Sequence, residues 1–493
     1  MCGISGIVDL KERRPINQGL VRAMNDSLTH RGPDGEGFHF EPGVGLGHRR
    51  LSIIDLEGGK QPLYNEDETV VVTYNGEIYN FQELATELQS LGHVFRTHCD
   101  TEVIVHAWEQ WGADCVHHFN GMFAFALWDR NRQTFFLVRD RVGIKPVFYA
   151  IRPDGHLVFG SELKAIMHDP MVARDLDVFA IEDYFTFGYV PEPRSIYRSV
   201  KKLEPGTYLC VRRGQATPEP VRYWDVPLDE EPRKGESIEE ACDELREHLK
   251  ASVSRRLVAD VPLGAFLSGG IDSSAVVAMM RELDIGSILT CSIGFNEKRY
   301  DESMYADMVA KAKRTDHKLE KVEASDYGLL EKLVGLYDEP YADSSAIPTY
   351  RVCELARKHV TVALSGDGGD ENYIGYRRYK LFAMEQSLRS LFPDWFRKPV
   401  FGFLGDYYPK LDWAPRVFRA KTTFESLARN SVEAYLHSVS LTSEAQRDAM
   451  FSDAMKRELQ GYRAVETFNH YAQRSPTDDP LSLIQYLDMK TYL

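Results

Sequence analysis

Hydrophobic and polar positions along this chain follow two different rhythms, and the change falls near residue 213. Ile4, Ile7, Val8 and Leu10 in "MCGISGIVDL" predict a buried strand beginning almost at the first residue. "TVVVTYNGEIYNF" and "QTFFLVRDRVGIKPVFYA" alternate or run apolar and are rich in Val, Phe and Tyr, which predicts further strands. "GMFAFALWD" reads as a core strand. Two helical patterns interrupt them. "NFQELATELQSLG" places Phe81, Leu84, Leu88 and Leu91 on one face before a glycine stop, and "DTEVIVHAWEQWG" opens on Asp100 as its cap and also ends in glycine. Many short strands with few helices predict an α+β domain of stacked antiparallel sheets over residues 1–212.

The Pro- and charge-rich stretch "TPEPVRYWDVPLDEEPRKGES" predicts a linker over 213–236. Beyond it strands and helices alternate: helix "SIEEACDELREHLKASVSRRL", strand "VPLGAFL", helix "SAVVAMMREL", strand "LTCSIGF", a helix from about 301 to 313, strand "KLEKV", another helix and strand "VTVALSG". That alternation predicts parallel βαβ units in an α/β doubly wound sheet within residues 237–493. Past Tyr379 the pattern is mostly helical. The final "DPLSLIQYLDMKTYL" reads as an amphipathic helix whose Leu483, Tyr486, Leu487 and Met489 still need cover, with no glycine stop or basic last turn. The expectation is a C-terminally incomplete domain.

At 493 residues the chain exceeds one hydrophobic core, in keeping with the two patterns. The net charge of −15 argues against a general nucleic-acid binder while leaving room for a local anion site. Seven cysteines show no C-x-x-C and no disulfide-like rhythm, so reduced thiols in a cytoplasmic protein are expected. No signal peptide is visible and no apolar run approaches the ~18 residues a membrane span requires. The histidines, His117 and His118 included, show no metal-ligand spacing and read as surface or core residues.

Cys2 directly follows the initiator methionine. Trimming would leave a thiol and a free α-amine on one carbon, and an amine titrating near ~8 suits a base that deprotonates a thiol. The alternative, a small residue at a frayed terminus, fits poorly with the strand pattern. In "LGAFLSGGIDSSAVV" an apolar strand runs into Ser268-Gly269-Gly270 and then a helix beginning around Asp272 and Ser273. Glycines allow close backbone approach to an anion, the helix directs free N–H groups at it, and Asp272 can hold Mg²⁺ against phosphate oxygens. The loop has no lysine and is not a Walker loop. "ALSGDGGDENYIGYRRY" repeats the arrangement with Ser365, Gly366, Asp367 and Asp370, at the carboxyl edge where parallel sheets bind ligands. Asp272 and Asp370 are then candidates to share the magnesium ion.

"SGGIDSS" with "LSGDGGDE" resembles the pyrophosphate-loop synthetases that split ATP between the α- and β-phosphates. Cys2-Gly3-Ile4 with "HRGPDGEG", "GHRRLSIIDL", "YNGEIYN" and "DTE" resembles the class II glutamine amidotransferases, which are N-terminal-nucleophile hydrolases. In this order the two are similar to glutamine-hydrolysing asparagine synthetase over nearly the whole chain. The resemblance implies Cys2 as nucleophile, with Asn75 and Gly76 as oxyanion hole. It implies a glutamine site built from Arg50, Leu51, Ser52, Ile53, Ile54, Asn75, Gly76, Glu77 and Asp100, with Arg50 rather than Arg49 on the α-carboxylate. His30 to Asp34 read as a structural turn, and Cys99 as a packed thiol beside the site. In the second domain it implies Leu267 and Ile293 around the adenosine, Ser268, Gly269, Gly270, Asp272 and Ser273 on the pyrophosphate, and Ser365 and Gly366 on the nucleotide. Asp367 carries over as a catalytic residue, and Asp272 and Asp370 as the Mg²⁺ ligands. It further implies a C-terminal extension carrying a lysine and an arginine-containing turn.

The expected reaction is glutamine hydrolysis coupled to ATP-dependent adenylation of a carboxylate, aspartate giving asparagine, AMP and pyrophosphate. The stretch "ENYIGYRRY" departs from the commoner "ELFGGY", and with "GYVPEPRSIYR" it is closer to amidotransferases of exosortase and exopolysaccharide loci, which leaves another acceptor open. The rivals are an RNA-thiolating pyrophosphate-loop enzyme, which the charge and the lack of paired cysteines oppose, and a dead sensing module, which an intact Cys2, Asn75 and Asp272 oppose. A sugar-amidating relative would lack "SGGIDSS". Expected partners are small molecules alone, neither nucleic acid nor membrane; a homodimer is left open.

Overall fold

Alternating apolar positions build twelve strands in the N-terminal half: β1 (Gly3–Asp9), β2 (Gly35–Glu41), β3 (Val44–Arg50), β4 (Leu63–Tyr64), β5 (Val70–Ile78), β6 (Gly121–Asp129), β7 (Thr134–Arg139), β8 (Phe148–Ile151), β9 (His156–Gly160), β10 (Val200–Lys202), β11 (Thr207–Arg212) and β12 (Val221–Arg222). This computed structural model describes residues 1–215, 218–228, 235, 237–297, 299, 301–322, 327–409, 413 and 420–493. The strands form two six-stranded sheets, in the orders β10-β8-β9-β1-β3-β2 and β12-β11-β7-β6-β5-β4. Neighbouring strands within both run antiparallel.

Successive side chains of a strand face opposite ways, and β5 uses both faces. Val71 joins Ile4, Leu46, Ala126, Trp128 and Phe159 in the core between the sheets, whereas Val70, Val72 and Tyr74 pack on the other side. There they meet the helices Phe81–Ser90 and Glu102–Trp111. The outer face of the first sheet packs Ile7, Phe148 and Val158 against Val21, Met24 and Ala180 of two more helices. The result is a helix–sheet–sheet–helix sandwich. Each fully buried large side chain contributes roughly 1.5–3 kcal/mol relative to exposure.

Two helix details depart from the sequence reading. Asp100 does not cap the helix Glu102–Trp111; Thr101 holds the cap position, and the Asp100 carboxylate accepts from Tyr74 Oη and the Ile78 N–H. A buried donor pair competes for the carboxylate and wins over the cap. Leu91 follows the last turn of Phe81–Ser90 and is 51% exposed rather than packed. Within 213–236, β12 pairs with β11 and Val226 is buried among helices of the second half; residues 216–217, 229–234 and 236 of that predicted linker lie outside the described residues.

The second half carries β13 (Leu263–Phe266), β14 (Leu289–Phe295), β15 (Asp316–Val322) and β16 (Val362–Leu364) in the order β15-β14-β13-β16, all parallel. Helices Ile238–Arg255 and Ile271–Glu282 cover one face and Ala346–Arg357 the other. The chain builds outward from β13 to β15, then returns to add β16 on the opposite side of β13. The carboxyl ends of β13 and β16 therefore flank a topological switch point, the crevice where such sheets bind ligands.

The last helix, Pro480–Thr491, is covered from within the chain: Ile484, Tyr486 and Leu487 are fully buried, and Leu483 and Met489 pack on the same cluster as Tyr379, Tyr435 and Phe468. Its last turn does contain a basic residue, Lys490, paired with Asp225 at 3.0 Å. The predicted unmet need for cover is thus corrected. The two halves are joined by Asp55 N–H donating to Asp260 (2.8 Å), a Lys164–Asp338 pair (3.0 Å) and a buried Arg447–Glu182 pair (3.0 Å). Among the described residues no helix is long and apolar enough to cross a membrane.

Candidate active sites

β1 enters the first sheet beside β3, with Gly3 opposite Arg49, so Cys2 comes to rest against the residues that leave β3. The Leu51 N–H donates to Cys2 Sγ at 3.3 Å. Arg31, from the predicted structural turn, donates to the Cys2 carbonyl at 2.9 Å and pairs with Glu162 at 2.8 Å, which fixes the cysteine backbone. Burial raises the Cys2 thiol pKa above its ordinary value, with the Leu51 N–H opposing. The sulfur is therefore a protonated thiol at neutral pH and needs a base. The terminal amine, on Met1, is lowered to about 5 chiefly by burial and is neutral at pH 7.

A pocket of about 310 Å³ opens beside the sulfur and brings together Cys2, Arg50, Leu51, Ile53, Ile54, Asn75, Gly76, Glu77 and Asp100. Ser52 is the exception: it is not part of the lining, and its N–H instead donates to Asp34 at 2.9 Å. Strand alternation separates the two arginines. Arg49 faces out to Asp26 and Glu36, whereas the Arg50 guanidinium turns in and is held by the carbonyls of Leu56 (2.8 Å), Asp55 (2.6 Å) and Ile54 (3.3 Å).

Asn75 and Gly76 lie on β5 opposite Ala124 and Phe123 of β6. A Cβ at Gly76 would sit 2.2 Å from the Met122 carbonyl, so only glycine fits. Asn75 is 1% exposed and its Nδ2 has no hydrogen-bond partner. A buried, unpaired donor costs about 1–3 kcal/mol, and such a cost is found where the donor serves a ligand. On the far wall, burial raises the pKa of Asp100, and burial together with the Asp100 charge raises Glu77 to about 7. Two carboxylates in a dry wall attract a cationic group. The sequence reading missed Lys145, buried in the lining with its pKa lowered by burial, and Gln61, which ties Tyr74 N–H (2.7 Å) to Thr101 (3.4 Å). Neither carries a local motif. Cys99 is a packed thiol, 6% exposed.

At the switch point a cavity of about 1280 Å³ is lined by Leu267, Ser268, Gly270, Asp272, Ser273, Ile293, Ser365, Gly366, Asp367 and Asp370. Gly269 is not in the lining. It takes φ +86°, and a Cβ there would stand 2.5 Å from the Ala306 N, so its role is to let the loop pass the helix Ser303–Lys313. Ser268 and Ser273 hydroxyls are 2.9 Å apart across the loop, and Gly270 starts the twelve-residue helix Ile271–Glu282 with no side-chain cap. Uncapped N–H groups at that terminus face the cavity.

The second motif presses on the first. A Cβ at Gly366 would lie 2.6 Å from the Ser273 N, and one at Gly369 2.6 Å from the Asp272 carboxyl carbon. Burial and then the Asp370 charge raise the Asp272 pKa, so the two carboxylates repel across the cavity, a donor set that a hard divalent cation relieves. Ser365 donates to Asp367 at 3.0 Å. The departing stretch holds Ile374 at φ +56°, a left-handed conformation that a β-branched residue rarely adopts. Glu192, Lys202, Asp338, Glu339, Arg378 and Asp488 also line the cavity and come from distant segments, which is why no motif announced them.

Comparison with known proteins gives two adjoining matches. Residues 1–224 match the glutamine amidotransferase domain family and residues 244–493 the asparagine synthase family. A Methanocaldococcus jannaschii protein named "Putative asparagine synthetase [glutamine-hydrolyzing] 2" is 40% identical over 401 residues, covering 76% of this chain and 76% of its own length. Asparagine synthetase [glutamine-hydrolysing] 1 of Bacillus subtilis is 38% identical over 393 residues, covering 77% of this chain and 60% of its own. A Mycobacterium tuberculosis protein named "Putative asparagine synthetase [glutamine-hydrolyzing]" is 35% identical over 522 residues, covering 100% of this chain and 76% of its own. The chain thus spans between 60% and 76% of the length of these relatives.

Proposed function

The chain belongs to the glutamine-hydrolysing asparagine synthetase family, and from that premise we propose that it releases ammonia from glutamine at Cys2 and transfers it to an ATP-activated carboxylate, that of aspartate. The carrying observation is the buried, unpartnered Nδ2 of Asn75 in the same lining as Cys2. It is an oxyanion donor held ready for a tetrahedral intermediate.

Once Met1 is removed, the Cys2 nitrogen is a free amine on the same carbon as the thiol. That amine takes the thiol proton while the sulfur attacks the side-chain amide carbon, and then gives it to the leaving nitrogen. Asn75 Nδ2 and the Gly76 N–H stabilise the oxyanion. Arg50, anchored by three carbonyls, pairs with the α-carboxylate, and Glu77 and Asp100 receive the α-ammonium. Ammonia leaves as the intermediate collapses to a thioester, which water then hydrolyses to glutamate.

In the second domain Leu267 and Ile293 hold the adenosine, and Ser268, Gly270, Ser273 and the uncapped helix end hold the pyrophosphate. Gly269 gives the loop its shape, Ser365 and Gly366 meet the nucleotide, and Asp367 stands at the reacting carboxylate. Asp272 and Asp370 are the residues that would hold Mg²⁺, which supplies charge neutralisation for the phosphates. Adenylation of the acceptor releases pyrophosphate; ammonia displaces AMP. Support for passage between the domains comes from β16: Thr361, Val362 and Ala363 border the first pocket, while Ser365 and Gly366 border the second. All seven cysteines are unpaired, which fits a cytoplasmic setting. A second reading, another carboxylate acceptor, rests on Ile374 and its strained turn beside the cavity.

The test is Cys2→Ala: glutaminase activity is lost, whereas pyrophosphate release with ammonia and aspartate persists. Glutaminase activity surviving in that variant refutes the assignment. Pyrophosphate release across a panel of carboxylates, with no response to aspartate, selects the second reading.

A further inference from the structure

On the outer layer of the first domain, four side chains from three separate segments converge: Glu66 from the loop between β4 and β5, His93 just past the helix Phe81–Ser90, and His106 and Glu109 from the helix Glu102–Trp111. One ligand atom from each lies within 4.8 Å of all the others. His106 Nδ1 is 3.0 Å from Glu109 Oε2 and 3.5 Å from Glu66 Oε2, and His93 Nδ1 is 3.7 Å from Glu109 Oε2. Four ligands about 2.0 Å from a tetrahedral centre stand about 3.3 Å apart, so these spacings are those of a zinc tetrahedron before the ion draws it in.

We propose that Glu66, His93, His106 and Glu109 form a structural binding site for a transition-metal dication, with Zn²⁺ the ion the ligand set fits best. Two imidazoles with two carboxylates suit zinc and its neighbours and disfavour Mg²⁺ or Ca²⁺, which take oxygen cages. The supports behind the ligands are built as well. His93 Nε2 lies 3.2 Å from Gln110 Oε1, which leaves Nδ1 of that ring towards the cluster; His106 turns Nδ1 to Glu109 and Glu66, while its Nε2, 3.7 Å from Glu102, makes no hydrogen bond. Glu102 is itself fixed by the N–H groups of Arg96 and Thr97, both at 2.7 Å, and Asn65 donates to Glu109 Oε1 at 2.7 Å, leaving Oε2 to the site.

Glu66 Oε2 is a buried oxygen that makes no hydrogen bond and lies 3.5 Å from Nδ1 of His106, whose side chain is fully buried. Glu66 and Glu109 are partly exposed, which gives an ion its entry path. With four protein ligands the site is closed, as structural zinc sites are. It ties the 65–67 loop and the segment after Gly92 to the helix whose N-terminal approach carries Asp100. The pattern escaped the sequence because the histidines are thirteen positions apart and the carboxylates lie on either side of them.

The experiment uses the full-length protein, stripped with a chelator and dialysed, then titrated with Zn²⁺ alone by calorimetry and with Co²⁺ alone by visible spectroscopy. One equivalent of Zn²⁺ is expected, with the intense d–d bands of tetrahedral Co²⁺ and no thiolate charge-transfer band. His106→Gln and His93→Gln should each weaken Zn²⁺ binding on the order of a hundredfold. If His106→Gln fails to fold by circular dichroism, His93→Gln, on the more open side, decides. Three results overturn the proposal: no uptake at micromolar Zn²⁺, Co²⁺ spectra of thiolate type, or binding unchanged in the His93 variant. Any of them leaves only a cluster of ion-paired histidines.

Discussion

Replacing Asn75 by alanine should separate catalysis from stability in opposite directions. The Asn75 side chain is 1% exposed, its Nδ2 has no partner, and the residue borders an open pocket, not a sealed core. Alanine removes a buried donor whose desolvation costs about 1–3 kcal/mol, and the space it leaves opens to solvent, so little cavity penalty opposes that gain. The protein should keep its stability or gain up to about 1–2 kcal/mol. Catalysis should move the other way. A single oxyanion donor is worth about 10²–10³ in kcat, or roughly 2.7–4 kcal/mol, and it acts on charge that exists only in the transition state. The glutamine KM should therefore change little. The assay is glutamate release from glutamine alongside urea unfolding, with ammonia-dependent pyrophosphate release as the control for an intact second site. A kcat within threefold of the parent refutes the oxyanion role. A lower unfolding midpoint refutes the claim that the Nδ2 is unpaired.

Asp272→Asn and Asp370→Asn should each abolish pyrophosphate release while basal glutaminase persists; near-normal adenylation in either would end the shared-cation reading. Glu77, raised to about 7 by burial and the Asp100 charge, must ionise to receive an ammonium. The glutamine KM should accordingly rise about tenfold per unit as pH falls below 7, and Glu77→Gln should erase that slope. In the ligand-free protein the same raised pKa means that the folded state holds the extra proton. Stability from Glu77 is thus full below the ordinary carboxyl range and is lost as pH rises towards 7, a trend absent from Glu77→Gln in unfolding midpoints. Ile374→Gly should stabilise the second domain by about 0.5–1 kcal/mol: it relieves a left-handed β-branched residue costing roughly 1–2 kcal/mol, less the entropy glycine adds to the unfolded chain. A loss of stability in urea unfolding would show that side-chain packing, not backbone strain, governs that turn.

Periodicity and turn chemistry are local properties, and they made much of this protein legible. Both faces of β5 are written in "VVVTY", and the loops after β13 and β16 are written in their glycines, serines and aspartates, because a strand's side chains alternate and an anion site needs bare backbone. Cys2 and Asp272 could be named for the same reason, whereas Asn75 and Glu77 were named only through the family resemblance that "YNGEIYN" carries. Tertiary structure decided what depends on company. Asp100 could have capped a helix, but Tyr74 and Ile78 claimed its carboxylate once β5 lay alongside. Arg50 faces the pocket and Arg49 does not, because the pairing register of β1 and β3 sets which side of the strand turns inward. Ser52 and Gly269 belong to their motifs yet point away from the cavities they border, one held by Asp34 and the other pressed against a helix. The last helix is buried by residues contributed from across the second half. Lys145, Gln61 and the grouping of Glu66 with His93, His106 and Glu109 have no local signature. Their proximity exists only after two sheets have stacked and two helices have been laid on the outer face, since distance along the chain carries no information about distance across a core.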